Sequence, residues 1–274
     1  MTTPLRAALI AVGALLGLAC GRQQATEPGE SCDLDLSRVV ATPPAPLPVA
    51  FRALVFTKTA GYRHASIAAG VRALVALGGA TGFAVDTTSD AATFTAAGLA
   101  PYRAVVFLNT TGDVLSAAQQ TSLEQFVAAG GGWAGIHSAA DTEYDWAWYQ
   151  SMLGTHFASH PAIQQARVTI ADATHPSTSG IASPWLRTDE WYNFASVLPA
   201  DVRILAKLDE ASYAGGSMGP VHPIAWTHLY GGGRAWYTAM GHTSCSYVER
   251  AFLTHIRGGV LWVAGADSLA ARPF

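Results

Sequence analysis

The chain has 274 residues, 50% of them hydrophobic and 13% charged, with a formal net charge of -3. Such an apolar fraction can bury a large core, which excludes a disordered protein. The slight negative charge and the lack of any Lys/Arg run exclude a surface built to grip nucleic acid or an anionic bilayer.

Arg6 precedes an apolar run from Ala7 to Cys20, which suits a signal-peptide core and is too short to span a bilayer. The run closes on Gly17-Leu18-Ala19-Cys20, similar to a bacterial lipobox except that Gly17 stands where leucine is usual. Residues 1–20 are therefore expected to be a lipoprotein-type signal peptide with Cys20 lipidated, placing the protein in the cell envelope and facing the periplasm or the exterior. Simple secretion is the alternative. Residues 21–49, with Pro43-Pro44-Ala45-Pro46-Leu47-Pro48, read as a Pro-rich tether. With Cys20 lipidated, Cys32 and Cys245 remain in an oxidising compartment, and parity pairs them in a disulfide.

From Phe51 to Thr57 a short apolar, β-branched run predicts a buried strand, and Ile67, Val71, Leu74 and Val75 follow at helical spacing. Phe83 to Asp86 and Ala104 to Leu108 predict further strands. A helix is expected over Leu115 to Ala129 with Ser116 as N-cap, stopped by Gly130-Gly131-Gly132 before a strand at Trp133 to Ile136. The second half is richer in strands (166–170, 202–208, 224–229 and 234–240) and ends in a helix with Phe252, Ile256, Val260 and Val263 on one face. The alternation predicts one α/β domain, a parallel sheet with helices on both faces and a strand-rich second half, with ligands at the carboxyl ends of the strands.

His64, His137, His222 and His242 each fall in or beside a polar loop at a predicted strand edge, with Asp141 and Asp189-Glu190 near such loops. Imidazoles and carboxylates focused on one cleft can bind a divalent metal such as zinc or serve as acid and base. The compact H-E-x-x-H and CxxC spacings are absent. Trp146, Trp148, Trp191 and Tyr192, in polar surroundings, are candidates for stacking on sugar rings, whereas Trp236 and Trp262 read as core. The turn Gly135-Ile136-His137-Ser138-Ala139 has the form of a nucleophile elbow with His137 where hydrolases carry Ser or Cys, which argues against a triad hydrolase.

Four blocks, Asn109 to Asp113, Gly130 to Asp141, Asp189 to Asn193 and Gly231 to Thr243, resemble the signature segments of the ThuA-like (trehalose utilisation) family. The resemblance extends from Phe51 to Gly265 and frames a domain at 50–267 with a tail at 268–274. It implies a flavodoxin-like, class I glutamine amidotransferase-like fold without the cysteine nucleophile, and a carbohydrate-active protein of disaccharide or glycoside utilisation, not an amidotransferase. Relatives often stand beside oxidoreductases that make 3-keto sugars. On this footing His137, Glu190 and Asp141 are the candidate catalytic residues, and Tyr62, Trp191, Tyr192, His222 and Asn109 the candidate substrate-binding residues. His64, His137 and His242 are the candidate metal ligands. The expected chemistry is acid/base work on a sugar carbonyl or its α-proton, of isomerase, lyase or hydrolase type. The alternative is a non-catalytic sugar-binding or scaffolding lipoprotein working with a partner oxidoreductase.

Overall fold

The computed structural model describes Cys32 and residues 35–274. The expected signal peptide, its Cys20 and the first part of the tether lie outside the described residues. In chain order the elements are β1 (Arg52–Phe56), α1 (Ile67–Thr81), β2 (Ala84–Thr88), α2 (Ala96–Leu99), β3 (Ala104–Leu108), α3 (Ala117–Ala128), β4 (Gly132–Ile136) and α4 (Ala147–Leu153). They continue with β5 (Phe157–Ser159), β6 (Gln164–Ile170), β7 (Trp185–Asp189), β8 (Asn193–Phe194), β9 (Arg203–Leu208), β10 (His222–Tyr230), β11 (Gly233–Thr238) and α5 (Arg250–Val263). Among the described residues no helix is long and apolar enough to cross a membrane.

Nine strands form one sheet in the order β2-β1-β3-β4-β11-β10-β9-β6-β7, and β5 pairs with β8 separately. The first five are parallel, in the order of a flavodoxin-like sheet with β11 as its fifth strand. The strand-rich second half does not form a separate layer: β10, β9, β6 and β7 extend the same sheet antiparallel. Burial follows from this division. β3 and β4 are buried at every residue, because helices cover both faces of the parallel half, while β6 and β7 alternate buried and exposed. The short alternating run Trp185-Leu-Arg-Thr-Asp189 gives β7 no sequence signal beyond its period.

Small residues set the layer spacing. A Cβ on Gly132 would meet Val263 O at 2.2 Å, and one on Gly259 the Trp236 ring at 2.5 Å, so α5 lies directly on β4 and β11. On the opposite face Trp133 meets Tyr149 of α4 with ring centroids 5.5 Å apart. Ser116 caps α3 in a capping box with Gln119.

Cys32 and Cys245 form a disulfide. The tether beyond it packs on the body: Val40 is buried, and Arg250 Nη1 donates to Val39 O at 2.8 Å. The expected tail also docks, with the Phe274 ring buried beneath Arg250 and Arg257.

Candidate active site

In the strand directions just given, the carboxyl ends of β1, β4, β11 and β7 share one edge of the sheet. β7 ends the sheet on the far side, yet the sheet curls so that Asp189 accepts from the backbone N–H groups of Gly241 (2.8 Å) and His242 (3.0 Å), just after β11. Each of these strand ends delivers one ligand-type residue: His64 from the loop after β1, His137 directly after β4, His242 after β11 and Glu190 directly after β7. All four are buried, and one donor atom of each lies within 4.8 Å of the others.

His137 sits at φ 52°, a left-handed conformation that a sharp strand-to-helix elbow imposes and that a non-glycine residue adopts only when its surroundings hold it there. Its Nδ1 lies 2.7 Å from Ala239 O. A carbonyl only accepts, so Nδ1 carries the proton and Nε2 presents its lone pair. That Nε2 lies 3.1 Å from His242 Nδ1, 3.4 Å from Glu190 Oε2 and 3.1 Å from the Tyr192 hydroxyl. His242 Nδ1 is 3.2 Å from the same Glu190 oxygen. His64 directs Nδ1 to Ser138 Oγ at 3.3 Å. Burial, aided by the neighbouring His137 and His242, pushes the His64 imidazole down to about 2, so it is neutral at neutral pH. Burial alone would raise the Glu190 carboxyl, but the His137 and His242 imidazoles beside it outweigh burial and hold the group below the usual carboxylate range.

These residues fit a divalent cation. Zinc–nitrogen bonds of about 2.0–2.1 Å in a tetrahedron place neighbouring donor atoms about 3.3 Å apart, and the His137, His242 and Glu190 atoms lie 3.1–3.4 Å from one another. The carbonyl behind His137 and the hydroxyl behind His64 are the outer partners that orient metal-binding imidazoles. Three imidazoles and one carboxylate suit zinc or a similar transition metal better than calcium or magnesium.

Above the cluster opens a cavity of about 290 Å³ lined by Tyr62, His64, Asp141, Phe157, His160, Glu190, Tyr192 and His242. Burial raises the Asp141 carboxyl, partly opposed by the Tyr144 hydroxyl, which donates to its Oδ1 at 2.7 Å. Across the cavity His160 Nδ1 lies 3.0 Å from Glu190 Oε1.

Tyr62, His64, Asp141, Glu190, Tyr192 and His242 line this cavity, His137 lies beneath it, fully buried and outside its lining, and three other candidates do not reach it. Trp191 is no ring platform: it is 0% exposed, and its indole N–H donates inward to Gln164 O. His222 is fully buried behind Tyr192, held between Glu210 Oε1 (2.8 Å) and Tyr192 O (2.8 Å), so it supports the cavity wall without lining it. Asn109 is buried at φ 50° and its amide donates to Ser66 Oγ at 2.9 Å, tying loops together where a ligand contact was expected. Trp146 and Trp148 also lie elsewhere, stacked on each other with centroids 5.0 Å apart. Ser138 is wholly buried and lies outside the cavity lining, its hydroxyl directed to His64. Sequence reasoning missed Phe157 and Tyr144 and assigned no role to His160. The two-residue His160-Pro161 signal was visible, but β5 is too short to show a period.

A flavodoxin-ordered α/β sheet carrying three buried histidines and a carboxylate, a group that could hold a metal ion, at the carboxyl edge of its strands defines the class: an α/β fold whose relatives in architecture bind small molecules at that edge. The chain belongs to the ThuA family, described as trehalose utilisation, whose profile matches residues 52–263. Similar solved structures include a ThuA-like protein from Bacteroides uniformis, 22% identical with a TM-score of 0.67, covering 80% of this chain and 94% of that one. Another, from Parabacteroides merdae, is 21% identical with a TM-score of 0.63 over 79% of this chain and 90% of that one. A cytoplasmic protein of Salmonella typhimurium LT2 shares the fold at 14% identity and a TM-score of 0.55, covering 82% and 100% of the two chains. No functionally curated protein matches the chain in sequence.

Proposed function

We propose that the protein is a metal-dependent, carbohydrate-active enzyme of the envelope that acts on a neutral sugar or keto-sugar by acid/base chemistry. The observation that carries this reading is the convergence of His64, His137, His242 and Glu190 within 4.8 Å beneath a cavity. Among the described residues no Lys or Arg lines that cavity, which disfavours a phosphorylated substrate. Its volume, about 290 Å³, stands at the small end of ligand sites and suits one sugar ring. The family description of trehalose utilisation agrees with this class of substrate.

A divalent cation held by the four residues would supply Lewis-acid polarisation of a substrate carbonyl or hydroxyl. Glu190 and His137, two of the candidate catalytic residues, would then be occupied as ligands. The remaining carboxyl in the cavity is Asp141, raised by burial, and it is the group that takes the substrate proton. Tyr144 orients Asp141, and the Ala239 carbonyl holds His137 in its tautomer. Such chemistry would place the enzyme after an oxidoreductase that supplies the keto-sugar. Lipid anchoring at Cys20 belongs to the same reading, and Cys20→Ser would move the protein from the membrane to the soluble envelope fraction.

The test is NMR of keto-disaccharides and their parent sugars in D2O with the metal-loaded protein. Exchange of the proton α to the carbonyl, or product formation, is expected in the wild type and lost in Asp141→Asn with metal content unchanged. No exchange and no product from the wild type would overturn the assignment.

A further inference from the structure

The ribbon of β5 and β8 stands apart from the nine-stranded sheet. Its pairing of Phe157 with Phe194 and of Ser159 with Asn193 brings His160, the residue after β5, against the link from Glu190 to Tyr192 that precedes β8. The segment is fixed from both sides. Asn193 Nδ2 donates to Gly215 O at 3.0 Å, and Gly215 in turn lies so close to Pro161 that a Cβ on it would meet the proline ring at 2.7 Å. The His160 ring lies at 32° to both the Phe157 and the Tyr192 rings, with centroids 5.8 and 6.2 Å away. Its Nδ1 is 2.9 Å from Pro161 O and 3.0 Å from Glu190 Oε1. A carbonyl and a carboxylate only accept, so Nδ1 carries a proton that the two oxygens share. A nitrogen that carries a proton has no lone pair for a metal, which sets His160 apart from His64, His137 and His242.

Glu190 uses its two oxygens differently. Oε2 faces His137 Nε2 (3.4 Å) and His242 Nδ1 (3.2 Å), whereas Oε1 faces His160. The last torsion of a glutamate is broad and roughly two-fold, so the side chain alone does not decide whether one oxygen or both reach the histidines. A hydrogen bond from His160 to one of them does decide it, and such bonds to an ionised carboxylate are among the strong ones. We propose that His160 is a positioning residue of the site: its Nδ1–H holds Glu190 Oε1, so that a divalent cation receives the carboxylate through Oε2 alone. With three imidazoles and Oε2 in place, a second carboxylate oxygen would fill the further position that zinc opens to a substrate oxygen during catalysis. His160 keeps that position free, and this role rests on the metal-dependent reading of the site. It also gives the small ribbon a use, since β5 carries both His160 and the cavity residue Phe157 to the cluster.

The test compares the wild type with His160→Leu, which removes the donor, and His160→Asn, which keeps an N–H near the place of Nδ1. Three readouts are taken: Zn2+ affinity by chelator competition, the visible absorption of the Co2+-loaded protein, and imidazole 1H–15N spectra of the metal-free protein. His160→Leu should bind Zn2+ about tenfold more weakly, at the low end of the loss for an outer partner because the His160 side chain is 41% exposed. Its Co2+ bands should weaken as the second oxygen joins the ion, and His160→Asn should restore both affinity and bands. In the metal-free wild type the neutral His160 ring should appear as the Nδ1–H tautomer. Wild-type affinity and bands in His160→Leu, failure of His160→Asn to restore them, or an Nε2–H tautomer at His160 would each overturn the proposal and leave the metal reading standing. A wild type that binds neither Zn2+ nor Co2+ would overturn the metal reading and this role with it.

Discussion

Asp189→Asn is the substitution that bears hardest on how this site is held. The carboxylate is 0% exposed and accepts from three backbone N–H groups, those of Glu190 (3.0 Å), Gly241 (2.8 Å) and His242 (3.0 Å). Its charge is met by Arg187 Nη2 at 3.0 Å, itself buried against the rings of Trp185 and Phe252. Asparagine keeps one carbonyl oxygen; its NH2 turns a donor toward a backbone donor, and buried Arg187 keeps only the half-exposed Glu249 carboxylate, 3.3 Å from its Nε. Breaking a buried pair from one side costs about 3–5 kcal/mol, a large part of the roughly 5–15 kcal/mol that holds a domain folded. Because two of the three anchored peptide groups belong to Glu190 and His242, metal affinity should also fall about 10–100-fold, as it does when outer partners of metal ligands are removed. The assay is urea denaturation at pH 7 with metal competition titrations, and the control is Asp209→Asn, which removes an exposed pair with Arg167 (2.8 Å) and should cost no more than about 1 kcal/mol. A loss in Asp189→Asn as small as the control's, with unchanged metal affinity, would refute the reasoning.

Three further outcomes follow from the geometry. Cys245→Ser opens a disulfide that closes 213 residues of sequence separation, and the denaturation midpoint should drop by the equivalent of about 2–5 kcal/mol; an unchanged midpoint would show that the leader contributes nothing to the fold. His255 and His175 are held neutral by burial, pushed down to about 3 and about 4. Because the unfolded chain protonates them near pH 6.5 and the folded one does not, their contribution is complete above that pH and is lost as pH falls toward 4 and 3, by at most about 1.4 kcal/mol per pH unit for each. Urea midpoints flat from pH 7 to 4.5 would contradict this. Trp191→Ala should destabilise by about 3–5 kcal/mol with sugar affinity at the cavity unchanged in the folded fraction; a selective loss of affinity would return Trp191 to the ligand surface.

The parallel half of the fold was legible because its strands are continuous apolar runs with helical periods between them, and the fold class followed. The antiparallel extension was legible as strands without its place in the sheet. Nothing local in β7 tells that the chain curls back so that Asp189 grips the His242 loop. The histidines at strand ends were found because a parallel sheet gathers such ends on one edge, a rule that uses topology alone. Trp191, His222 and Asn109 were misplaced for a common reason: each sits next in sequence to a strand end or site residue, and sequence adjacency does not say which way a side chain turns. In the short link between β7 and β8 Tyr192 turns to the cavity and its neighbour Trp191 to the core. The pairing of Cys32 with Cys245 came from parity, with no geometric information at all.

The central claim is that His64, His137, His242 and Glu190 hold a metal, and elemental analysis of the protein purified without chelator tests it directly, alongside His137→Ala and Glu190→Gln. The account predicts about one divalent transition metal per wild-type chain and a large loss in both variants while each keeps its folded circular-dichroism spectrum. A folded wild type that takes up no metal even from zinc-replete buffer would contradict it and leave the cluster as a hydrogen-bonded acid/base site.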